Sequence, residues 1–463
     1  MSETLSREDL LDRSAGELAK AVATRQVSAA ELTDAAIARI ETRDVAINAV
    51  VVRDFDRARE AAKAADAAVA RGEVGALVGV PMTLKESHDV AGLPSTWGAE
   101  MFKDYVAATD GVVAARLKAA GAIIVGKTNV PPMLSDWQSA NAIYGRTVNP
   151  WDPTRSPGGS SGGSAASLAA GMSVLEFGSD IGGSIRVPAA FCGVYGHKPS
   201  FNLIPSRGHT PAGMQGAPPP LAVVGPLARS PADLRLALDV TAGPDEPDSI
   251  AYRLDLPQPR HARLADHRVL MLTDLPGVAT QSDIRSALDD LAGKLERLGA
   301  EVSRSSDLLP DMARSREVFG GLLNIALSRR QGATTTVSAY DWMDLLDAQI
   351  AVRREWSALF KSFDVVLAPV FGSVAFPHVT EEDPGKRVLT IDGKDTPYFD
   401  QLVWPAVALV ANLPATVAPI GLTKGGLPIG LQIIGPYLED RTTIAFAGLL
   451  EREFGGFVAP PLL

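Results

Sequence analysis

Through the first eighty residues, apolar positions recur at helical spacing within alanine-rich segments. Ser28 heads AAELTDAAIARIE with Glu31 three residues on, a capping box that predicts a helix start. AREAAKAADAAVARG predicts a second helix, closed by Gly72. The pattern then changes. ALVGVPMTLK, from Ala76, is a short apolar run bounded by glycine and proline, which predicts a buried strand. GVVAARLKAAG predicts a helix stopped at Gly121, and AIIVGK a strand. This strand–helix–strand alternation predicts an α/β sheet with helices on its faces.

Further along, SPADLRLALDVTAG predicts another capped helix, and HRVLMLTD, SDIRSALDDLAGKLERLG and AEVSRSS a further β–α–β unit. FDVVLAPV and GLPIGLQIIG are apolar, β-branched and glycine-bounded, so core strands are expected, with RTTIAFAGLLEREFG as a closing helix. AGMQGAPPPLAVVGP is irregular and proline-rich and predicts a surface loop. No repeat, low-complexity tract or linker divides the 463 residues. One α/β domain over 1–463 is expected: a helical region at about 1–75, a core at about 76–230, and an insert at about 244–396 that the pattern defines least.

Composition narrows the function classes. Acidic residues (54) exceed basic ones (44) and no Lys/Arg run stands out, which argues against nucleic-acid binding through a basic face. The single cysteine, Cys192, excludes an intramolecular disulfide. The polar start MSETLSREDLLDRSAGEL has no apolar signal-peptide core, and no stretch approaches the roughly 20 apolar residues of a membrane span. A soluble, cytoplasmic protein without membrane or nucleic-acid partners is expected.

Candidate chemistry concentrates between Gly158 and Arg186, where GGSSGGSAASLAAGMSVLEFGSDIGGSIR places serines inside two glycine-rich turns. Glycine there lets a substrate approach main-chain N–H groups, as a nucleophile with an oxyanion hole requires. A serine hydroxyl needs a base. None of the six histidines lies in this segment. Lysine serves if desolvation leaves it neutral, and Lys85, ending the apolar run VGVPMTLK, is the best candidate. Alternation along the strand would turn Glu86 to the opposite face.

The segment from Gly158 to Pro188 resembles the signature of the amidase signature family, the Ser–Ser–Lys amide hydrolases. GVPMTLKESHDVAG, GAIIVGKTNVP, YGRTVNPWDPTRSPGG, FCGVYGHKPS and GLPIGLQIIGP extend the resemblance over most of the chain. Lys85 stands 75 residues before Ser160 and Ser160 stands 24 before Ser184, spacings similar to the family's. The resemblance implies the amidase signature fold, a large mixed β-sheet covered by helices on both faces. It makes Ser184 the acyl-forming nucleophile, Ser160 the bridging serine on a cis peptide, and Lys85 the base. Backbone N–H groups of Ile181, Gly182, Gly183 and Ser184 would form the oxyanion hole. Asp180 and Arg186 are read as braces of the turn and Ser161 as a supporting hydrogen-bond donor. Met133, Trp137 and Trp404 are candidates for an acyl pocket, with core packing the alternative. Glu86 and Glu176 depart from the family pattern, which usually has an aspartate and a small residue there.

The expected activity is hydrolysis of a small-molecule amide, or an aryl ester or carbamate, through an acyl-enzyme. No metal or cofactor is expected, and any self-association would be a homodimer. One alternative is the glutamine-hydrolysing subunit of a tRNA-dependent amidotransferase. In those subunits an aspartate ahead of a Leu-Pro motif holds the glutamine amino group; counting back from Leu413–Pro414 puts Leu402 there, with Asp400 close by. A non-enzymatic nucleotide-binding protein is the alternative of another class, although the segment from Gly158 to Arg186 contains no GxxxxGK[ST]. An α/β-hydrolase would need a downstream acid and histidine, for which only His378 is placed.

Overall fold

The computed structural model describes residues 10–212, 214, 216–331 and 337–461. The polar start at 1–9 lies outside these, as do 213 and 215 of the proline-rich stretch. Ser28 and Glu31 form the expected reciprocal cap on helix Ala29–Ile47. The second helix is Phe55–Ala70, and Gly72 beyond it has φ 84°. The apolar run gives strand Pro81–Lys85, which passes through helix Val112–Ala119 to the parallel strand Ile123–Thr128. With antiparallel Val50–Arg53 these make a three-stranded sheet of their own.

The larger sheet has eight strands. From edge to edge they are Glu301–Ser303, Arg268–Met271, Val365–Pro369, Pro428–Ile434, Ala415–Leu422, Tyr195–Lys198, Val223–Ala228 and Leu175–Asp180. The first three are mutually parallel and the remaining pairings antiparallel. Three strands from the segment least defined by pattern thus join the same sheet as the signature core. Strand periodicity divides the apolar residues between two layers. Val269, Met271, Val365 and Leu367 enter one, with Ile284, Leu288 and Leu295 of helix Ser282–Leu298 and Phe446 of helix Asp440–Phe454. Leu270, Val366 and Ala368 enter the other, with Val318 and Leu322 of helix Met312–Gln331 and Trp356 of helix Ala339–Leu359. Helices therefore cover both faces. Among the described residues, no helix is long and apolar enough to cross a membrane.

One expectation is corrected. The end of AGMQGAPPPLAVVGP is not loop but the interior strand Val223–Ala228, with Pro226 opposite Phe177. Its glycine reflects close strand packing instead of a turn: a Cβ on Gly225 would stand 2.3 Å from the His197 carbonyl oxygen.

Candidate active site

The two sheets meet where strand Pro81–Lys85 approaches the edge strand Leu175–Asp180. Side chains bridge this seam at two levels. Thr83 donates to Glu176, and two residues on, Lys85 Nζ donates to Ser179 Oγ at 2.9 Å and to Ser160 Oγ at 2.7 Å. Lys85 is wholly buried. Burial lowers its pKa well below the ordinary lysine value, opposed by the Asp180 charge. Glu86 does turn away from it: its carboxylate accepts from the N–H groups of Thr96 (2.6 Å) and Trp97 (2.9 Å) and from the Tyr144 hydroxyl (3.1 Å).

Ser160 follows a cis Gly159–Ser160 peptide just ahead of helix Gly162–Ala169. The N–H of Ser161 donates to the Ser184 carbonyl at 3.1 Å, tying the first glycine-rich turn to the second. Ser160, Ser179 and Ser184 open onto one cavity of about 730 Å³. That size suits a drug-sized organic molecule.

Asp180, the last residue of its strand, organises the turn that carries Ser184. Its carboxylate accepts from the N–H of Gly183 at 2.8 Å and of Ile185 at 3.2 Å, and from Arg186 Nε and Nη2, both at 3.0 Å. The Asp180–Arg186 pair is fully buried. Burial pushes the Asp180 carboxyl up, but the Arg186 charge and hydrogen bonds outweigh it and hold the pKa below the ordinary value. Arg186 Nη1 also donates to Pro405 O (3.0 Å) and Gln432 Oε1 (2.8 Å), satisfying the guanidinium.

This changes the expected oxyanion hole. The Gly183 N–H faces Asp180 and is not open to the cavity. Gly183 adopts φ 97°, and a Cβ there would come within 2.8 Å of Pro405 and 2.9 Å of Val187. The N–H groups of Ile181, Gly182 and Ser184 have no protein acceptor among the described residues.

Met133 lines the cavity, but Trp137 and Trp404 do not. Trp137 lies behind the turn, its indole N–H donating to the Gly182 carbonyl at 3.0 Å. Trp404 is fully buried in the second apolar layer. Ser179 was missed at the sequence level. Only the approach of the two sheets reveals it as the second partner of Lys85. Glu176, the other departure from the family pattern, is buried on the seam, and burial raises its pKa to about 8 against hydrogen bonds from Thr83 and Ser164.

A mixed sheet flanked by helices, with a buried lysine bonded to a serine beside a glycine-rich turn, defines an amide-hydrolase architecture. Residues 31–323 and 312–444 match the Amidase family, and the chain belongs to it. The glutamyl-tRNA(Gln) amidotransferase subunit of this family from Anaeromyxobacter dehalogenans (strain 2CP-C) is 35% identical over 496 aligned positions, covering 96% of this chain and 97% of that protein. A solved chain from a vestigial protein complex bearing on the origins of an s-triazine catabolic enzyme is 30% identical. It has TM-score 0.82 and covers 96% of this chain and 100% of that one. A bacterial aryl acylamidase is 28% identical with TM-score 0.79, covering 95% of this chain and 96% of that one.

Proposed function

We propose that Ser184 attacks a carboxamide carbonyl and that Ser160 and Lys85 relay its proton. Neutral Lys85 takes the proton of Ser160, which takes that of Ser184 as the new C–O bond forms. The relay reverses to protonate the departing amine, and water then hydrolyses the Ser184 ester by the same route. The N–H groups of Ile181, Gly182 and Ser184 stabilise the oxyanion; one such donor is worth about 3 kcal/mol. The observation that carries this reading is the 2.7 Å contact between Lys85 Nζ and Ser160 Oγ, on a lysine that burial drives toward its neutral form.

Two acyl donors are in contention. Likeness to the amidotransferase relatives favours glutamine, hydrolysed within an amidotransferase assembly. The site favours a larger, uncharged carboxamide, ester or carbamate hydrolysed by a free-standing enzyme. Leu402 packs against Gly182, its Cδ2 3.2 Å from where a Cβ would stand. Asp400 instead pairs with Arg316 at 3.1 Å and is absent from the cavity lining. Arg207, the one guanidinium on the cavity wall among the described residues, is held bidentately by Asp245 at 2.6 and 3.0 Å. Among those residues, a zwitterionic amino acid therefore finds neither a spare cation nor the expected carboxylate. We place this activity in the cytoplasm, where the lone buried thiol of Cys192 stays reduced.

The purified chain, assayed on aryl amides, aliphatic amides, carbamates, aryl esters and glutamine, separates the two. The free-standing reading expects aryl amide turnover by the chain alone, as monomer or homodimer. Preferential glutamine hydrolysis that depends on added partner subunits would favour the other. Loss of activity in Lys85→Ala is expected under both.

A further inference from the structure

The peptide group joining Gly182 to Gly183 is tied at both ends. Its carbonyl accepts from the Trp137 indole at 3.0 Å and its N–H donates to Asp180 Oδ1 at 2.8 Å. The next carbonyl, of Gly183, accepts from the Val187 N–H at 2.7 Å. In a trans peptide the C=O and N–H point in opposite directions. The Gly183 carbonyl bond therefore aims the Ser184 N–H away from the following helix. The Gly182 N–H belongs to the preceding peptide and is joined to the fixed 182–183 plane through the Gly182 Cα. Glycines would otherwise leave this stretch freer than any other residue could.

Trp137 is itself immobilised. Its ring packs edge-on to Phe371 at 4.8 Å and against Tyr398 at 5.2 Å. Its backbone N–H donates to Asp136 Oδ1 at 2.7 Å. The Asp136 carboxylate also accepts from the Tyr398 hydroxyl at 2.7 Å and Arg387 Nη1 at 2.8 Å. An indole N–H has donor capacity only, and the Gly182 carbonyl satisfies it. A buried donor with one acceptor, on a ring clamped by aromatic neighbours, is suited to holding a flexible turn in a single orientation.

We propose that Trp137 is the positioning residue of the oxyanion turn: its indole N–H sets the Gly182–Gly183 peptide so that the N–H groups of Gly182 and Ser184 converge on the reacting carbonyl oxygen. Trp137 touches no substrate and acts through the Gly182 carbonyl. This rests on Ser184 being the acylated residue. The bond should matter most where charge develops on that oxygen, in the tetrahedral species of both acylation and deacylation.

The test compares wild-type protein with Trp137→Phe and with a variant carrying the benzothiophene isostere of tryptophan at position 137, which keeps the ring volume and removes only the N–H. Each is assayed for aryl amide turnover, for binding of phenylboronic acid (a tetrahedral-adduct former on serine) and for binding of benzoate, a ground-state probe. Complete removal of an oxyanion donor costs about 10²–10³ in kcat, so misaligning the hole should cost about ten-fold or more. KM and benzoate affinity should stay within about three-fold of wild type, while boronate affinity falls by the same factor as kcat/KM. Wild-type kcat and boronate affinity in the isostere variant would overturn the proposal. So would a parallel fall in benzoate affinity, which marks general disruption of the site. Ser184→Ala is the control: if it retains turnover and boronate binding, the nucleophile assignment fails instead.

Discussion

Replacing Asp180 with asparagine removes one charge at the point where the turn, the buried ion pair and the lysine meet. Asp180→Asn keeps an oxygen for the Gly183 N–H but leaves Arg186 charged, fully buried and without its anion. Breaking a buried pair in this way costs about 3–5 kcal/mol, because the remaining guanidinium keeps only its neutral acceptors. With about 2.1 cal/mol/K of unfolding entropy per residue over 463 residues, each kcal/mol corresponds to roughly 1 °C in Tm. Urea unfolding followed by tryptophan fluorescence is therefore the more sensitive assay. Asp180 has a folded-state pKa below its ordinary value, so its contribution is present above about pH 4 and lost as pH falls through the folded value. The stability difference between wild type and variant should accordingly shrink in acid. Activity carries a second, opposite-looking signature. The Asp180 charge favours protonated Lys85, and removing it lowers the lysine pKa further. The acid limb of kcat/KM, where protonation of Lys85 abolishes the base, should therefore move to lower pH. Unchanged stability at neutral pH, or an acid limb that moves upward, would refute this account of the charges.

Glu176→Gln should raise stability at pH 7–8. The native carboxyl holds its proton up to about pH 8, whereas the unfolded chain loses it near the ordinary value of 4.5. Stability therefore falls with rising pH across that window, by about 1.4 kcal/mol per unit, and the neutral amide abolishes the slope; chemical unfolding at several pH values checks this. Gly183→Ala should cost about 1–3 kcal/mol for a side chain forced to a positive φ, and its Cβ would press on Pro405 and Val187. The urea midpoint and kcat should fall together in that variant, more than for Ala at the open Gly72, whose Cβ would meet nothing within 4 Å.

Much of the site was legible because the chemistry sits at the ends of strongly patterned elements. Lys85 closes a continuous apolar run, and that run becomes strand Pro81–Lys85, buried at every position. The two serine-bearing turns are marked by glycines whose backbone the fold uses. What the sequence could not disclose depends on how separate elements approach. Ser179 faces Lys85 only because the edge of one sheet meets another. The role of Trp137 follows from where its loop crosses behind Gly182, and in one dimension it is indistinguishable from a pocket residue. Gly225 and Pro226 read as turn residues, since both are disfavoured in strands. In the fold, the glycine admits a neighbouring carbonyl and the pair lies inside the eight-stranded sheet. The participation of all four glycine-turn N–H groups in an oxyanion hole was likewise an expectation from motif alone, and the Asp180 carboxylate claims one of them.

In the proposed mechanism Ser184, and no other serine in the two turns, carries the acyl group. Rapid acid quench of the enzyme during turnover of p-nitrophenyl acetate, followed by peptide mass spectrometry, tests it directly. A single acetylated residue, Ser184, is expected, with no adduct in Ser184→Ala and much slower formation of the adduct in Lys85→Ala. Acetylation at Ser160, Ser161 or Ser179 that is required for turnover would contradict it, as would full turnover by Ser184→Ala.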